Sequence, residues 1–325
     1  MRLGSVQIDT PIILAPMAGV SDEPFRNICL NHGADLAVHE MVSAKSDLRS
    51  SRKSTQRLKS TNHDAIRWVQ IVGADPETMA DGAQFNEHQG ADIIDINMGC
   101  PAKKVCRKAA GSALLSDPGL VEDILVATVE AVQVPVTLKI RTGVDADSIN
   151  APQIAKIAQR VGIQSLSVHG RTRSDKFKGD AEYKTIREVR QAVDINIIAN
   201  GDIDSPEKAK HVLNVTEANG LMLGRAAYGN PWIFEQIKSY LNCGSYRSEP
   251  DYNQAIISIQ SHIKEIHRHY GDILGVRIAR KHIGWYLERF VLSQFRKQIN
   301  KIESGEMQLL ELNRIFSDFA LQKAS

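Results

Sequence analysis

The sequence predicts a (β/α)8 TIM barrel followed by a small all-α helical bundle, and three observations predict it. Eight short apolar runs, rich in β-branched residues, recur between residues 12 and 223 and alternate with helical segments. Parallel strands buried on both faces read this way. Three intervening helices carry start signals: Asp75-Pro76, Asp117-Pro118 and Ser205-Pro206 each set a capping side chain before a proline. Beyond a turn-rich segment at 241–251 only helical periodicity remains. A doubly wound sheet is the alternative, but no Gly-x-Gly-x-x-Gly joins the first strand to its helix.

In chain order, the runs that read as strands are Ile12–Ala15, Leu36–His39, Trp68–Val72, Ile93–Ile96, Val136–Ile140, Ser165–Val168, Ile195–Ala199 and Leu221–Leu223. Ser21 is the expected cap of the first helix. A bundle is expected over 252–322, with Ile256, Ile259, Ile263 and Ile266 on one face. Leu309, Leu312, Ile315, Phe316 and Phe319 form a second stripe, and turns are expected within Gly271–Gly275 and at Ser304-Gly305. The division expected is a catalytic barrel over 1–243 and a helical domain over 244–325.

Composition sets limits. The chain has 325 residues, 42% hydrophobic and 24% charged, as in ordinary soluble domains. A net charge of +2 selects no polyanionic partner, so the local distribution must carry that argument. The four cysteines, Cys29, Cys100, Cys106 and Cys243, form no Cys-x-x-Cys pair and have no zinc-finger partners. A reduced, cytoplasmic protein with no metal centre is expected. Asp9, Pro11 and Pro16 interrupt any N-terminal leader-like run, and no apolar run reaches membrane-spanning length. A monomer is the default expectation.

In such a barrel the active site lies at the C-terminal ends of the strands. The positions there are Pro16, Met17 and Ala18 after the first strand, and Gln70 within and Gly73 after the third. Asn97 and Cys100 follow the fourth, Lys139 and Arg141 end the fifth, and His169 ends the sixth. Asn200, Gly201 and Asp202 follow the seventh, and Gly224 with Arg225 the eighth. The last two sets stand where barrels often cradle phosphate: glycines let backbone approach and Arg225 offers a fork of donors. Lys139 has two readings, a Schiff-base nucleophile or a positive charge beside the carbonyl edge of a flavin. Gln70 and His169 suit the second. Cys100 sits on a loop opened by Gly99 and stiffened by Pro101, ahead of Lys103, Lys104, Arg107 and Lys108. A lone loop thiol carries little, but beside a basic cluster it suggests chemistry on a polyanion.

Five blocks resemble those of tRNA-dihydrouridine synthases, in that family's order. They are Ala15-Pro16-Met17-Ala18-Gly19-Val20, Asn97-Met98-Gly99-Cys100-Pro101, Lys139-Ile140-Arg141-Thr142-Gly143, His169-Gly170-Arg171-Thr172 and Asn200-Gly201-Asp202-Ile203. The length, the helical tail and the Ala102-Lys103-Lys104 continuation are similar to the bacterial DusB-like branch. The resemblance implies FMN as cofactor, NADPH as reductant and tRNA as substrate. It implies reduction of the C5=C6 bond of a D-loop uridine, at position 17 in that branch, with hydride to C6 and a proton from Cys100 to C5. It assigns FMN to Pro16, Met17, Ala18, Gln70, Lys139, Asn200, Gly201, Asp202, Gly224 and Arg225, with His169 beside the isoalloxazine ring or the base. A neutral thiol is mostly protonated near neutral pH yet acidic enough to act. Nearby Lys and Arg would lower its pKa, so Cys100 is expected to face the substrate more than Lys103 and Lys104.

Three basic runs follow strands two, four and six: Lys45, Arg49, Arg52, Lys53, Arg57 and Lys59; Lys103 to Lys108; and Arg171, Arg173, Lys176 and Lys178. All open on one face and suit phosphate contacts. The tail adds Arg277, Arg280, Lys281, Arg289, Arg296, Lys297 and Lys301, interleaved with Trp285, Tyr286, Phe290 and Phe295, which read as bundle core. The rival readings are an FMN barrel acting on a free pyrimidine, a Schiff-base aldolase using Lys139, and a tRNA-binding protein without catalysis. Turnover on free pyrimidine, borohydride trapping and absence of flavin would mark each in turn.

Overall fold

Nine strand segments run parallel around one closed barrel, in the computed structural model that describes residues 1–4, 6–49, 51–58, 66–107, 109–246 and 250–324. The barrel strands are β1 (Ile12–Leu14), β2 in two pieces (Leu36–Ala37 and Val42–Ser43), β3 (Trp68–Val72), β4 (Ile93–Met98), β5 (Val136–Arg141), β6 (Ser165–His169), β7 (Asn196–Asn200) and β8 (Gly220–Leu223). β8 pairs with β1 through Leu221↔Ile12, Met222↔Ile13 and Leu223↔Leu14. The bridge Val38↔Trp68 and the bond from His39 N to Trp68 O (2.9 Å) carry the first piece of β2 onto β3, whose partner is also the second piece. Closure leaves the barrel no free edge strand among the described residues.

Side chains alternate across the wall, as the two-residue strand period requires. Ile12 and Leu14 pack outward into the main core beneath the helices, while Ile13 and Ala15 face a smaller inner cluster with Trp68, Ile93, Ile198 and Met222. Leu3, from an antiparallel hairpin of Arg2–Leu3 and Val6–Gln7, fills that inner cluster. The hairpin is tied to the strand N-terminal ends by Asn196 Nδ2 donating to Arg2 O (2.9 Å), so the opposite end is left for chemistry.

The strands run further toward that end than the apolar runs foretell. Met98, Arg141, His169 and Asn200 are the last residues of β4, β5, β6 and β7. Polar side chains do not stop a parallel ladder, because its bonds use backbone alone. β2 departs most from expectation, breaking after Ala37 and resuming at Val42.

Around the barrel lie α1 (Glu23–Asn31), α2 (Pro76–His88), α3 (Pro118–Ala131), α4 (Ala151–Val161), α5 (Lys184–Ala192), α6 (Pro206–Thr216) and α7 (Ile233–Cys243). The Asp-Pro and Ser-Pro signals fall where expected: Asp75, Asp117 and Ser205 accept from the backbone N–H three residues on. At α1 the cap is Asp22, which accepts from Phe25 N (3.0 Å), and not Ser21. Ser21 Oγ instead accepts from Met17 N (2.8 Å) and braces the loop after β1.

The tail folds as α8 (Tyr252–Tyr270), α9 (Asp272–Arg289) and α10 (Gly305–Ala324), with its own core of Ile259, Ile263, Ile266, Ile283, Leu287, Leu312, Ile315 and Phe316. Gly271 alone makes the α8–α9 turn (φ +78°); Gly275 is helical and lets α9 pass close to His267. Of the turn-rich segment, Leu241 to Cys243 belong to α7, and residues 247–249 lie outside the described residues. Trp232, on the barrel side of residue 243, inserts into the tail core. Phe25 of α1 meets the rings of His262 and His282 at 5.8 and 5.4 Å, and Tyr270 Oη donates to Asp22 Oδ2 (2.9 Å).

Because Ile259 is fully buried at the centre of the tail core, Ile259→Ala should cost about 2–5 kcal/mol. Chemical denaturation checks it; a loss under about 1 kcal/mol would mean the tail core relaxes into the space.

Candidate active site

The closed ladder delivers its polar residues to one rim. Pro16, Met17, Ala18, Gln70, Cys100, Lys139, His169, Asn200, Gly201, Asp202, Gly224 and Arg225 all line a single cavity of about 580 Å³. The sequence positions at the strand ends thus converge. Met41, Phe177 and Tyr228 line it too, without having been foreseen. Nothing marks them in a single sequence, since each is an apolar or aromatic loop residue brought in only by folding.

A buried chain of hydrogen bonds crosses the floor. Trp68 Nε1 donates to Thr137 Oγ1 (3.0 Å), Thr137 Oγ1 to Asp95 Oδ1 (2.6 Å), Gln70 Nε2 to Asp95 Oδ2 (2.6 Å), and Asn97 Nδ2 to Gln70 Oε1 (2.7 Å). Asp95 accepts only, so it fixes the orientation of the Gln70 amide and leaves one amide N–H over. Burial pushes the Asp95 carboxyl up to about 6, against the bonds from Thr137 and Gln70. Asn97 Oδ1 accepts from Cys100 N (2.9 Å) and Gly99 N (3.2 Å), so the same network pins the cysteine loop. From the other side Ser112 N (3.1 Å) and Oγ (2.9 Å) donate to Cys100 O. Gly111 (φ +63°) is required there, because a Cβ would lie 2.8 Å from Cys100 O.

Lys139 Nζ donates to Asn200 Oδ1 (2.8 Å), its one hydrogen-bond partner among the described residues, which leaves two of its three donors. Burial first, and then Arg141, lowers its pKa to about 8, against the attraction of Asp95. Burial also pushes the Cys100 thiol up and outweighs Arg141 and Lys139, which pull it down. The thiol therefore stays protonated. The cations that pull on it, Arg141 and Lys139, are not those of the run expected after Cys100, and Lys103 is exposed. Burial, then Lys139, Arg141, Arg171 and Arg225, holds His169 neutral. Arg171 can only donate, so its contact with His169 Nε2 (3.4 Å) makes that nitrogen the acceptor and puts the ring proton on Nδ1.

Several arginines are structural. Arg141 is buried and donates to Gly99 O (2.8 Å), Thr172 O (2.9 Å) and Lys176 O (2.8 Å), tying the loops after β4 and β6. Arg171, 3% exposed, grips Asp202 at 3.0 and 2.5 Å. Asp202 also accepts from Arg225 (2.8 Å) and Ala181 N (2.9 Å). Its carboxylate is thus committed, and only its backbone faces an anion without repulsion. Burial raises the Asp202 pKa, but the bonds from Arg171 and Ala181 and the Arg225 charge hold it below the usual range. Arg57 bonds Glu40 (3.2 Å) and Met41 O (3.0 Å). The expected basic face therefore keeps Lys45, Lys103, Arg107, Lys176 and Lys178 as exposed cations. Lys59, Lys108 and the side chains of Arg49, Arg52, Lys53 and Lys104 lie outside the described residues.

The lining suits a phosphate-bearing flavin. Gly201 and Gly224 leave a recess between β7 and β8, with Arg225 half exposed above it. Gly224 adopts φ −116°, ψ −101°, outside the regions open to other residues, and its bare backbone lines the recess. Lys139 and Gln70 keep unused donors.

A strand-end cleft in a (β/α)8 barrel, with the half-buried Cys100 thiol on its wall, has the form of an enzyme active site. Among solved structures the fold is similar to that of a morphinone reductase mutant in complex with tetrahydroNAD (TM-score 0.54, 13% identity, 78% of this chain and 92% of that one). The family model described as "Dihydrouridine synthase (Dus)" matches residues 13–321, and the chain belongs to that family of flavin oxidoreductases. It is 51% identical over 321 residues to a tRNA-dihydrouridine synthase B of Vibrio parahaemolyticus, covering 98% of this chain and all of the relative. It is 52% identical over 318 residues to the protein of that name from Pseudomonas syringae pv. tomato, covering 98% and 94%.

The Asp95 shift predicts a pH effect. A carboxyl whose folded pKa of about 6 exceeds its ordinary 3.8 lends stability below pH 4 that is lost as pH rises through 6. Relative to Asp95→Asn, the wild type should lose on the order of 2–3 kcal/mol between pH 4 and 7. Denaturation of both proteins at each pH measures it; parallel profiles would show that Asp95 is not desolvated.

Proposed function

We propose that the chain reduces the C5=C6 bond of a uridine in the tRNA D-loop, with FMN as cofactor and NADPH as its reductant. The observation that carries this is a Cys100 thiol kept protonated by burial in the same cleft as Lys139. The relatives' name supports tRNA as substrate; uridine 17 as target is what the resemblance of the sequence blocks to the B branch implies. Bound FMN, once reduced, supplies hydride to C6 of the uracil.

The residues divide the remaining work. Arg225 and the backbone at Gly201, Asp202 and Gly224 would hold the phosphate. Lys139, with two free donors, would bind the ring, and the spare Gln70 N–H and the neutral His169 would orient ring or base. Pro16, Met17 and Ala18 form the wall at β1. Cys100 gives its proton to C5, and Arg141 and Lys139 then lie close enough to steady the thiolate until solvent reprotonates it. The pinned loop keeps the sulfur in place during transfer. The target base must leave its stack to enter the cleft, which a tRNA loop permits more readily than a duplex.

The purified protein should be yellow and release FMN. Cys100→Ala should keep flavin and its reduction by NADPH but lose roughly 10²–10⁴-fold in uridine reduction, while Cys106→Ala stays active. Cys106 Sγ lies 3.6 Å from Cys100 O and 3.7 Å from Ser112 Oγ, packed against the loop. Release of FAD, no flavin after reconstitution, or an inactive Cys106→Ala beside an active Cys100→Ala would overturn the assignment.

The division of labour extends to the tail, which we propose anchors the tRNA. Arg280 donates to Ile302 O (2.9 Å) and serves the fold, but Arg277 and Lys297 are exposed. Arg277→Glu with Lys297→Glu should flatten the log–log salt dependence of tRNA affinity by roughly 0.7–0.9 for each phosphate left unneutralised, with flavin content unchanged. An unchanged slope across a salt series would place the anchor on the barrel loops.

A further inference from the structure

The helical tail reaches the cleft itself. Trp285 of α9 stacks on Tyr228, which lines the cavity, with ring centroids 4.2 Å apart and planes 12° apart. The next residue, Gly229, has φ +63°, and a Cβ there would lie 2.5 Å from Trp285 O. The loop after β8 is thus pressed, ring and backbone, against one turn of α9. One turn earlier on the same helix face, Lys281 Nζ donates to Gly19 O, in the loop after β1. Gly19 N is held in turn by Glu40 Oε2 (2.5 Å), and Asp22 and Glu40 both face the Lys281 ammonium. The two loops run side by side, where a Cβ on Gly224 would lie 3.4 Å from Met17 Sδ. Between them they supply Met17, Ala18, Gly224 and Arg225 to the cleft wall.

We propose that Lys281 and Trp285 are positioning residues for the cofactor: α9 clamps the loops after β1 and β8 in the spacing that FMN needs. The inference rests on the FMN reading above. A bundle needed only to dock RNA has no reason to meet the barrel at these two loops. Stacking an indole on a cleft residue, and placing an ammonium on the carbonyl of the adjoining loop, fixes the geometry of the wall. The tail then contributes to flavin affinity as well as to tRNA binding, and a barrel without α9 holds flavin poorly.

The test compares four variants of the full chain with wild type. Flavin-fluorescence quenching gives the FMN Kd, the visible circular dichroism of bound FMN reports its surroundings, and thermal melting of flavin-free protein reports docking. Trp285→Ala and Lys281→Met should each raise the FMN Kd at least tenfold and alter the flavin dichroism. Trp285→Phe should restore affinity to within threefold. Ser258→Ala removes a contact of the same interface, to His32 Nε2 (3.2 Å) at the far end of α1, that touches neither loop, and should lower the melting temperature without changing the FMN Kd. Unchanged Kd in both Trp285→Ala and Lys281→Met, or an equal rise in Ser258→Ala, would overturn the positioning role. If Trp285→Ala fails to fold, Lys281→Met and Trp285→Phe decide it by the same Kd criterion. A wild type that takes up no FMN would instead overturn the cofactor reading on which this rests.

Discussion

Pairing of β8 with β1 closes the barrel, and the ladder continues past the strands when Ala15 N donates to Leu223 O (2.8 Å). That bond sets Pro16 to Ala18 beside Gly224 and Arg225, residues more than two hundred positions apart in the chain. Closure also removes water from the inner rim. Every polar side chain there then meets the same condition, in which the charged form is penalised. Lys139 and His169 move down, Asp95 and Cys100 move up, and burial is the largest cause in all four. The Cys100 thiol stays protonated beside two cations because desolvation outweighs them.

The polar residues that survive this burial do so through mutual bonds. Asp95 orders Gln70, Gln70 orders Asn97, and Asn97 fixes the Cys100 loop. On the opposite side Asp202 gathers Arg171, Arg225 and Ala181 N. Each network commits polar and charged groups to geometry rather than to ligands. A removed member leaves a buried partner unsatisfied, so single substitutions cost more than the bond they delete.

The same pairing changes the meaning of the basic runs. Read along the chain, Arg57, Arg171 and Arg280 look like parts of one cationic face. Folded, Arg57 pairs with Glu40, Arg171 with Asp202, and Arg280 donates to Ile302 O, while Lys176, Lys178, Arg277 and Lys297 remain exposed. Arginine suits these internal ties because its planar fork makes several fixed bonds at once. Of the tail aromatics, Tyr286 is core, as expected, but Trp285 stacks on Tyr228 at the cleft.

What the sequence by itself determined is whatever depends on local chemistry. Short apolar β-branched runs define strands, and Asp-Pro or Ser-Pro pairs define helix starts. Short blocks around Cys100, Lys139, His169 and Asn200 name the site, because the residues that carry them sit at strand ends and a barrel brings strand ends together. The first helix shows the limit of even that, since either Ser21 or Asp22 could cap it, and the choice of Asp22 follows from where Ser21 meets Met17. Tertiary structure alone decided what depends on distance through space. Met41, Phe177 and Tyr228 entered the cleft, Asp202 was committed to two arginines, and α9 came to rest on the loops after β1 and β8. Desolvation belongs to the same class. The direction in which Cys100 shifts is set by how much water the surrounding loops exclude, and no spacing along the chain records that.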